Sequence, residues 1–193
     1  MQVYRTTHLL HWISAAVCFA ALTLFTITGI TLNHAGSIGG KPVVITHSAQ
    51  VPDDLRALLA AEGEVAPALA TWIEAEFGLP LSGAAPEWSE EELYLSAPGP
   101  GRDAWISIDR TSGAAKSEAT DRGWIAYFND LHKGRNTGLA WVIFIDVVAG
   151  ACLFFSLTGL ILLQLQARQR RSTWPLVIGG TVLMVALMIF FIH

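Results

Sequence analysis

The chain has 193 residues, 52% of them apolar, a mean hydropathy of +0.46 and only 15% charged residues, against about 25% in an ordinary soluble domain. That composition excludes a plain soluble globule, and a net charge of −4 excludes the basic surface that nucleic acid requires. Its two cysteines, Cys18 and Cys152, both lie in apolar stretches, so no disulfide framework exists, and without Cys-x-x-Cys-His any haem must be held by ligands alone.

In chain order, residues 1–34 read as a short N-terminus and a first transmembrane helix, with no charge over 9–32. The run is about twice a secretory h-region and lacks an Ala-x-Ala site, so it reads as an uncleaved anchor. Residues 35–131 read as a small α+β domain inserted between helices 1 and 2. Glycines and Pro42 make 35–50 a loop entering a strand at 43–46. A helix is expected over 52–61, with Asp53 and Asp54 in its first turn, and another over 67–77, opened by Pro67 and stopped by Gly78. Residues 83–92 are turn-rich, and strands are expected at 93–96 and 105–109, followed by a turn at 110–113. Trp124, Tyr127 and Phe128 lead back to the membrane as an aromatic belt. The second transmembrane helix is placed at 132–166, a loop at 167–173 and the third helix at 174–193.

Charge sets the expected orientation. The N-terminus and the 167–173 loop carry Arg5, Arg168, Arg170 and Arg171 and no acid, while 33–138 holds eight basic and fifteen acidic residues. Short Arg-rich loops stay in the cytoplasm, which puts the domain and the C-terminus on the periplasmic side of a bacterial inner membrane. The acidic surface suits cations; Glu90, Glu91 and Glu92 are an unspecific candidate cluster for released Fe(II), and read first as a solvated charge run.

One internal similarity stands out: 26–32 reads TITGITL and 156–162 reads SLTGLIL. Small residues let helices approach closely in lipid; the alternative is that each glycine leaves room for a flat cofactor.

Sorted by depth, His34 ends the first helix and His132 precedes the second, both on the outer side, so they reach one membrane plane from antiparallel helices. Facing helices commonly present ligands inward in this way. Two imidazoles without cysteine or carboxylate company suit haem b iron better than zinc; read blandly, both are interfacial residues. Lys133 and Arg135 are candidates for propionate binding or for snorkelling, and Asn33 and Asp130 for acceptors of imidazole N–H. His8 and His11, one turn apart, lie roughly 35 Å from His34 along the helix. They read as interfacial residues, or as a second haem or quinol site, and the second helix offers no histidine to pair with them. His193 is a weaker outer candidate. Asp146 is an intramembrane carboxylate, expected on the bundle interior.

Together, Thr28-Gly-Ile-Thr-Leu-Asn-His34, the turn Ile106-Ser-Ile-Asp-Arg-Thr-Ser-Gly113, Asn129-Asp-Leu-His-Lys-Gly-Arg-Asn-Thr-Gly138 and Trp141-Val-Ile-Phe-Ile-Asp146 resemble the PepSY-associated transmembrane proteins. The resemblance covers nearly the whole chain. It implies a PepSY-like extracytoplasmic domain and a haem-b protein reducing Fe3+ or ferric siderophore at the periplasmic face, with His34 and His132 holding the iron. His11-Trp12 stands where larger members have His-Arg-Trp, and those members have more spans. The expected partners are the lipid bilayer, iron or a ferric chelate, an electron donor (quinol or a cytoplasmic reductant) and a second copy in a homodimer. The alternative is a non-enzymatic, membrane-anchored PepSY module that binds or regulates a periplasmic partner.

Overall fold

The computed structural model describes residues 2–81 and 84–192. In chain order they form α1 (Gln2–Asn33), α2 (Ala35–Ile38), β1 (Val43–Gln50), α3 (Asp53–Arg56) running into a 3-10 turn (Ala57–Ala60), α4 (Pro67–Phe77), β2 (Pro86–Trp88), β3 (Glu92–Ser96), β4 (Arg102–Asp109), β5 (Ala114–Asp121), α5 (Gly123–Lys133), α6 (Leu139–Gln166) and α7 (Thr173–Phe191). Among the described residues three helices, α1, α6 and α7, are long and apolar enough to cross a membrane, and this is a membrane protein. The strands fall between α1 and the α6–α7 pair. Two compact units result, Met1–Leu24 with Ile143–His193, and Phe25–Val142; α1 and α6 each contribute to both.

In the first unit, α1 turns a stripe of small polar residues inward: Thr7, Ser14 and Cys18 are buried, with His11 half-buried between them. That three-and-four spacing is one helix face, and through it His11 reaches Thr158 of α6. Pairings of Tyr4 with Gln166 and of His11 with Thr158 set α6 antiparallel to α1. Trp174 Nε1 donates to Gln164 Oε1 at 2.9 Å and ties α7 to the end of α6.

In the second unit a five-stranded antiparallel sheet has the order β1-β5-β4-β3-β2. Alternation places Leu93, Leu95, Ala104, Ile106 and Ile108 on one buried face. Leu69 and Ile73, one turn apart on α4, pack there with Val51 and Leu59, each such side chain contributing roughly 1.5–3 kcal/mol by burial. Pro67 opens α4, and Gly78, at φ +64, closes it.

The element expected over 52–61 is a short helix continued as a 3-10 turn, and the strand expected at 43–46 runs on to Gln50. β2 lies inside the turn-rich stretch, and β5 has no counterpart in the reading of the sequence. Its sequence, AAKSEATD, carries little strand propensity, and pairing with β1 and β4 supplies what propensity does not. The second membrane helix does not begin at 132. α5 ends at Lys133, with Gly134 at φ +66 and Asn136 at φ +55; two left-handed residues break the helix, and α6 starts at Leu139.

The turn after β4 is built by its side chains. Asp109 Oδ1 accepts from the Thr111 and Ser112 N–H groups at 3.0 and 2.6 Å and from Ser112 Oγ at 2.8 Å. Arg110 reaches Leu59 O and Ala60 O, Ser89 O and Glu62, and lies over the Trp88 ring. Gly101, at φ +68, sits where a Cβ would come 2.6 Å from Tyr127 N.

Two outcomes are expected. Gly101→Ala costs about 2–4 kcal/mol from overpacking and a disfavoured φ, read as a fall in thermal midpoint of the detergent-purified protein. The Ser112 N–H, with the Ser112 hydroxyl and Thr111 N–H, holds the Asp109 carboxyl below its ordinary value of 3.8. A lowered folded pKa contributes stability above the unfolded pKa and loses it as pH falls through the folded one. Wild type is therefore more stable than Asp109→Asn at neutral pH, and the gap closes in acid below that ordinary value.

Candidate functional site

The site in the second unit is built on α5. Three polar side chains of Asn129-Asp-Leu-His132 face different neighbours. Asn129, buried, accepts from Thr31 Oγ1 of α1 at 2.7 Å. Asp130, 3% exposed, accepts from Gly101 N–H at 2.9 Å and from Arg122 Nη2 at 2.8 Å. Arg122 Nε lies 3.3 Å from Asp103, whose other oxygen is 3.9 Å from Arg135. Asp130 is thus engaged by the sheet and is not an acceptor for a histidine, as the sequence had suggested.

His132, half-buried, is seated on α1. Its Nδ1 is 2.7 Å from Thr28 Oγ1, its ring meets Phe25 edge-on at 5.2 Å between centroids, and a Cβ on Gly29 would stand 3.6 Å from its Cε1. The Thr28 hydroxyl donates to Phe25 O at 3.2 Å. With that proton committed to a carbonyl, Thr28 Oγ1 accepts from His132 Nδ1–H, which leaves Nε2 with the lone pair. His34 is exposed at the end of α1, and its Nδ1 donates to Ile30 O at 3.0 Å. A carbonyl only accepts, so here too Nε2 is the lone-pair nitrogen. The structure brings both histidines into one unit, but His34 folds back on its own helix and, among the described residues, no contact joins the two rings. Asn33 and Lys133 are exposed, and the Arg135 side chain is half exposed.

The first unit contains a matching arrangement. His11 Nδ1 lies 3.2 Å from Phe155 O and 3.1 Å from Thr158 Oγ1; its ring stacks on Phe155 at 4.5 Å; a Cβ on Gly159 would come 3.2 Å from its Cε1. The repeated fragments are therefore Phe25-Thr-Ile-Thr-Gly29 and Phe155-Ser-Leu-Thr-Gly159, and each seats a histidine. What stands against each repeated glycine is an imidazole ring. Phe25, Thr28, Phe155 and Thr158 were missed as site residues; a shared Phe three residues before each Thr-Gly was the signal.

His8 is exposed, its ring 5.9 Å from that of Tyr4, and does not join His11. His47 meets Glu76 at 3.2 Å on the surface. Asp146 is exposed rather than interior. The inward stripe of α6 runs through Ile145, Val148, Cys152, Phe155, Thr158 and Leu162, and Asp146 stands one step round the helix from it. His193 lies outside the described residues.

15N spectra of the labelled protein will show the neutral rings of His11, His34 and His132 as Nδ1–H tautomers. Thr28→Val will remove the preference at His132, whereas Thr158→Val will leave His11 unchanged, because Phe155 O still accepts.

No characterised protein and no solved structure matches this chain. The sequence profile of the PepSY_TM-like family matches it over residues 2–193, and the chain belongs to that family.

Proposed function

We propose that the protein is a b-type haem membrane protein that passes single electrons to an oxidised metal, foremost Fe(III) as the ion or a ferric chelate, at the extracytoplasmic face of a bacterial inner membrane. The observation that carries this reading is the seat of His132: its Nδ1 lies 2.7 Å from Thr28 Oγ1 and Gly29 leaves room for the ring, which engages Nδ1 and leaves Nε2 for a metal. An imidazole ligand is ordinarily oriented by a hydrogen bond from its other nitrogen. His34 has the same form, with Nδ1–H on Ile30 O. By residue type the set suits haem iron: His132 and His34 would hold it once the two rings are brought to face each other, and Lys133 and Arg135 would meet the propionates.

When bound, the haem supplies a one-electron couple. The chain's part is to orient Nε2, to hold each Nδ1–H against its acceptor (Thr28 Oγ1 for His132, Ile30 O for His34), and to offer an acidic surface to the metal cation. Fe(III) takes up one electron and leaves as Fe(II). A second reading, a docking module without haem, draws on β1. Its outer edge is unpaired in the sheet order, and Val43, Val44 and Ile45 are exposed along it, as a strand-adding partner would need.

A visible spectrum of protein from haem-replete cells separates the two. A Soret band that shifts on dithionite and is lost in His132→Ala and in His34→Ala supports the haem. Oxidation of the reduced protein by a Fe(III) chelate supports the reaction. A colourless, well-folded preparation overturns both and favours the docking module.

A further inference from the structure

The His11 cradle opens on a crevice of about 580 Å³ in the first unit, lined by His11, Phe155, Gly159, Leu160, Leu163, Gln166 and Val177 among others. Its volume is within the usual range for small-molecule sites, about 300–1,000 Å³. We propose that this crevice binds the head of a membrane-dissolved quinol, whose hydroxyl donates to Nε2 of His11.

The chemistry of the walls selects that class of ligand. Nδ1 of His11 faces a carbonyl and therefore carries the proton, so Nε2 can only accept; the ligand must present a donor. Among the described residues nothing bonds that nitrogen. Phe155 and the leucines offer flat and apolar contact, and Leu160 and Leu163 are exposed on a helix of membrane-spanning length, so the ligand enters from lipid. A second polar group stands in the same crevice: the Gln166 amide, whose N–H donates to Tyr4 Oη at 3.2 Å and whose carbonyl stays available as an acceptor. A planar apolar head with a hydroxyl at each end suits that pair. A porphyrin iron does not, since His11 is the one histidine among the lining residues and no cysteine or methionine accompanies it.

The inference deepens the electron-transfer reading by naming its donor, and rests on that reading only for where the electrons go. A quinol becomes a quinone by losing two protons and two electrons. His11 Nε2 would take one proton as the O–H bond breaks and solvent the other, and a haem held elsewhere in the chain would supply the one-electron acceptor for each of the two electrons in turn.

The test uses the full chain in detergent micelles and the fluorescent quinol-site ligand 2-heptyl-4-hydroxyquinoline N-oxide. Saturable quenching with one site per chain, competed by decylubiquinol, is expected. His11→Phe keeps a ring on Phe155 but has no nitrogen, and Gly159→Leu fills the seat. Each should weaken binding about tenfold or more, the scale of one lost hydrogen bond in a dry site, with the melting temperature and elution volume of wild type. Wild-type affinity in either folded variant, or quenching that follows micelle concentration without saturating, overturns the proposal. Should the variants not fold, photolabelling of wild type with an azidoquinone decides, since label outside 155–166, the first turns of α1 and the turn of α7 around Val177 overturns it equally. A visible spectrum of the same samples scores the haem separately: colourless protein that binds the probe sinks the haem alone, and haem-loaded protein that does not bind it sinks the quinol site alone.

Discussion

A buried carboxylate must be met by donors or it is destabilising by several kcal/mol, and Asp130 is the point where that requirement organises the second unit. Its oxygen takes the Gly101 N–H and the Arg122 guanidinium, which pins α5 against the β4 end of the sheet. Gly101 has no side chain, and that absence allows Tyr127 to come so near. Once α5 is pinned, its helical period leaves Asn129 and His132 no choice of neighbour. They face α1, where Thr31 and Thr28 receive them. The orientation of the ligand nitrogen on His132 is thus a consequence of an ion pair on the other side of the same helix.

The two histidine seats share a construction that lipid favours. In a bilayer no water completes a polar group's hydrogen bonds, so an imidazole entering a helix interface must have its N–H satisfied by the partner helix. A threonine that gives its own proton to the backbone carbonyl one turn back has an oxygen ready to accept, and a glycine beside it removes the Cβ that would hold the ring away. An aromatic ring one turn earlier closes the side. Phe25, Thr28 and Gly29 do this for His132; Phe155, Thr158 and Gly159 do it for His11. Both rings finish with Nδ1 spent and, among the described residues, no hydrogen-bond partner on Nε2, and the chemistry open to each is set by what lies next to Nε2.

Much of the fold was legible in the chain. Three apolar runs, two of them uncharged and one carrying only Asp146, marked the helices of spanning length, and α4 was delimited to the residue by Pro67 and Gly78, because those two residues act through local backbone geometry. β5 was not legible, since Ala-Ala-Lys-Ser-Glu-Ala-Thr-Asp takes its extended form from ladders on both sides. Nor was the break between α5 and α6, where glycine and asparagine in a basic stretch resemble an ordinary helix entrance. At the site, His132 and His11 could be picked out as single residues, whereas their partners could not. Thr28 and Thr158 look like small packing residues until the facing helix is in register, and Asp130, two residues from a histidine, looked like its natural acceptor.

What the sequence by itself determined was therefore the set of properties that depend on composition and near neighbours: membrane-spanning helices, an α+β insertion with helix stops at glycines, and histidines at the ends of apolar segments. The tertiary structure decided which atoms those histidines engage, that Asp130 serves the sheet, that His34 turns onto its own helix and that Asp146 stands off the packed stripe of α6. The physical reason is that hydrogen bonds between helices depend on register and rotation, and each is set by long-range packing rather than by the residues that make the bond.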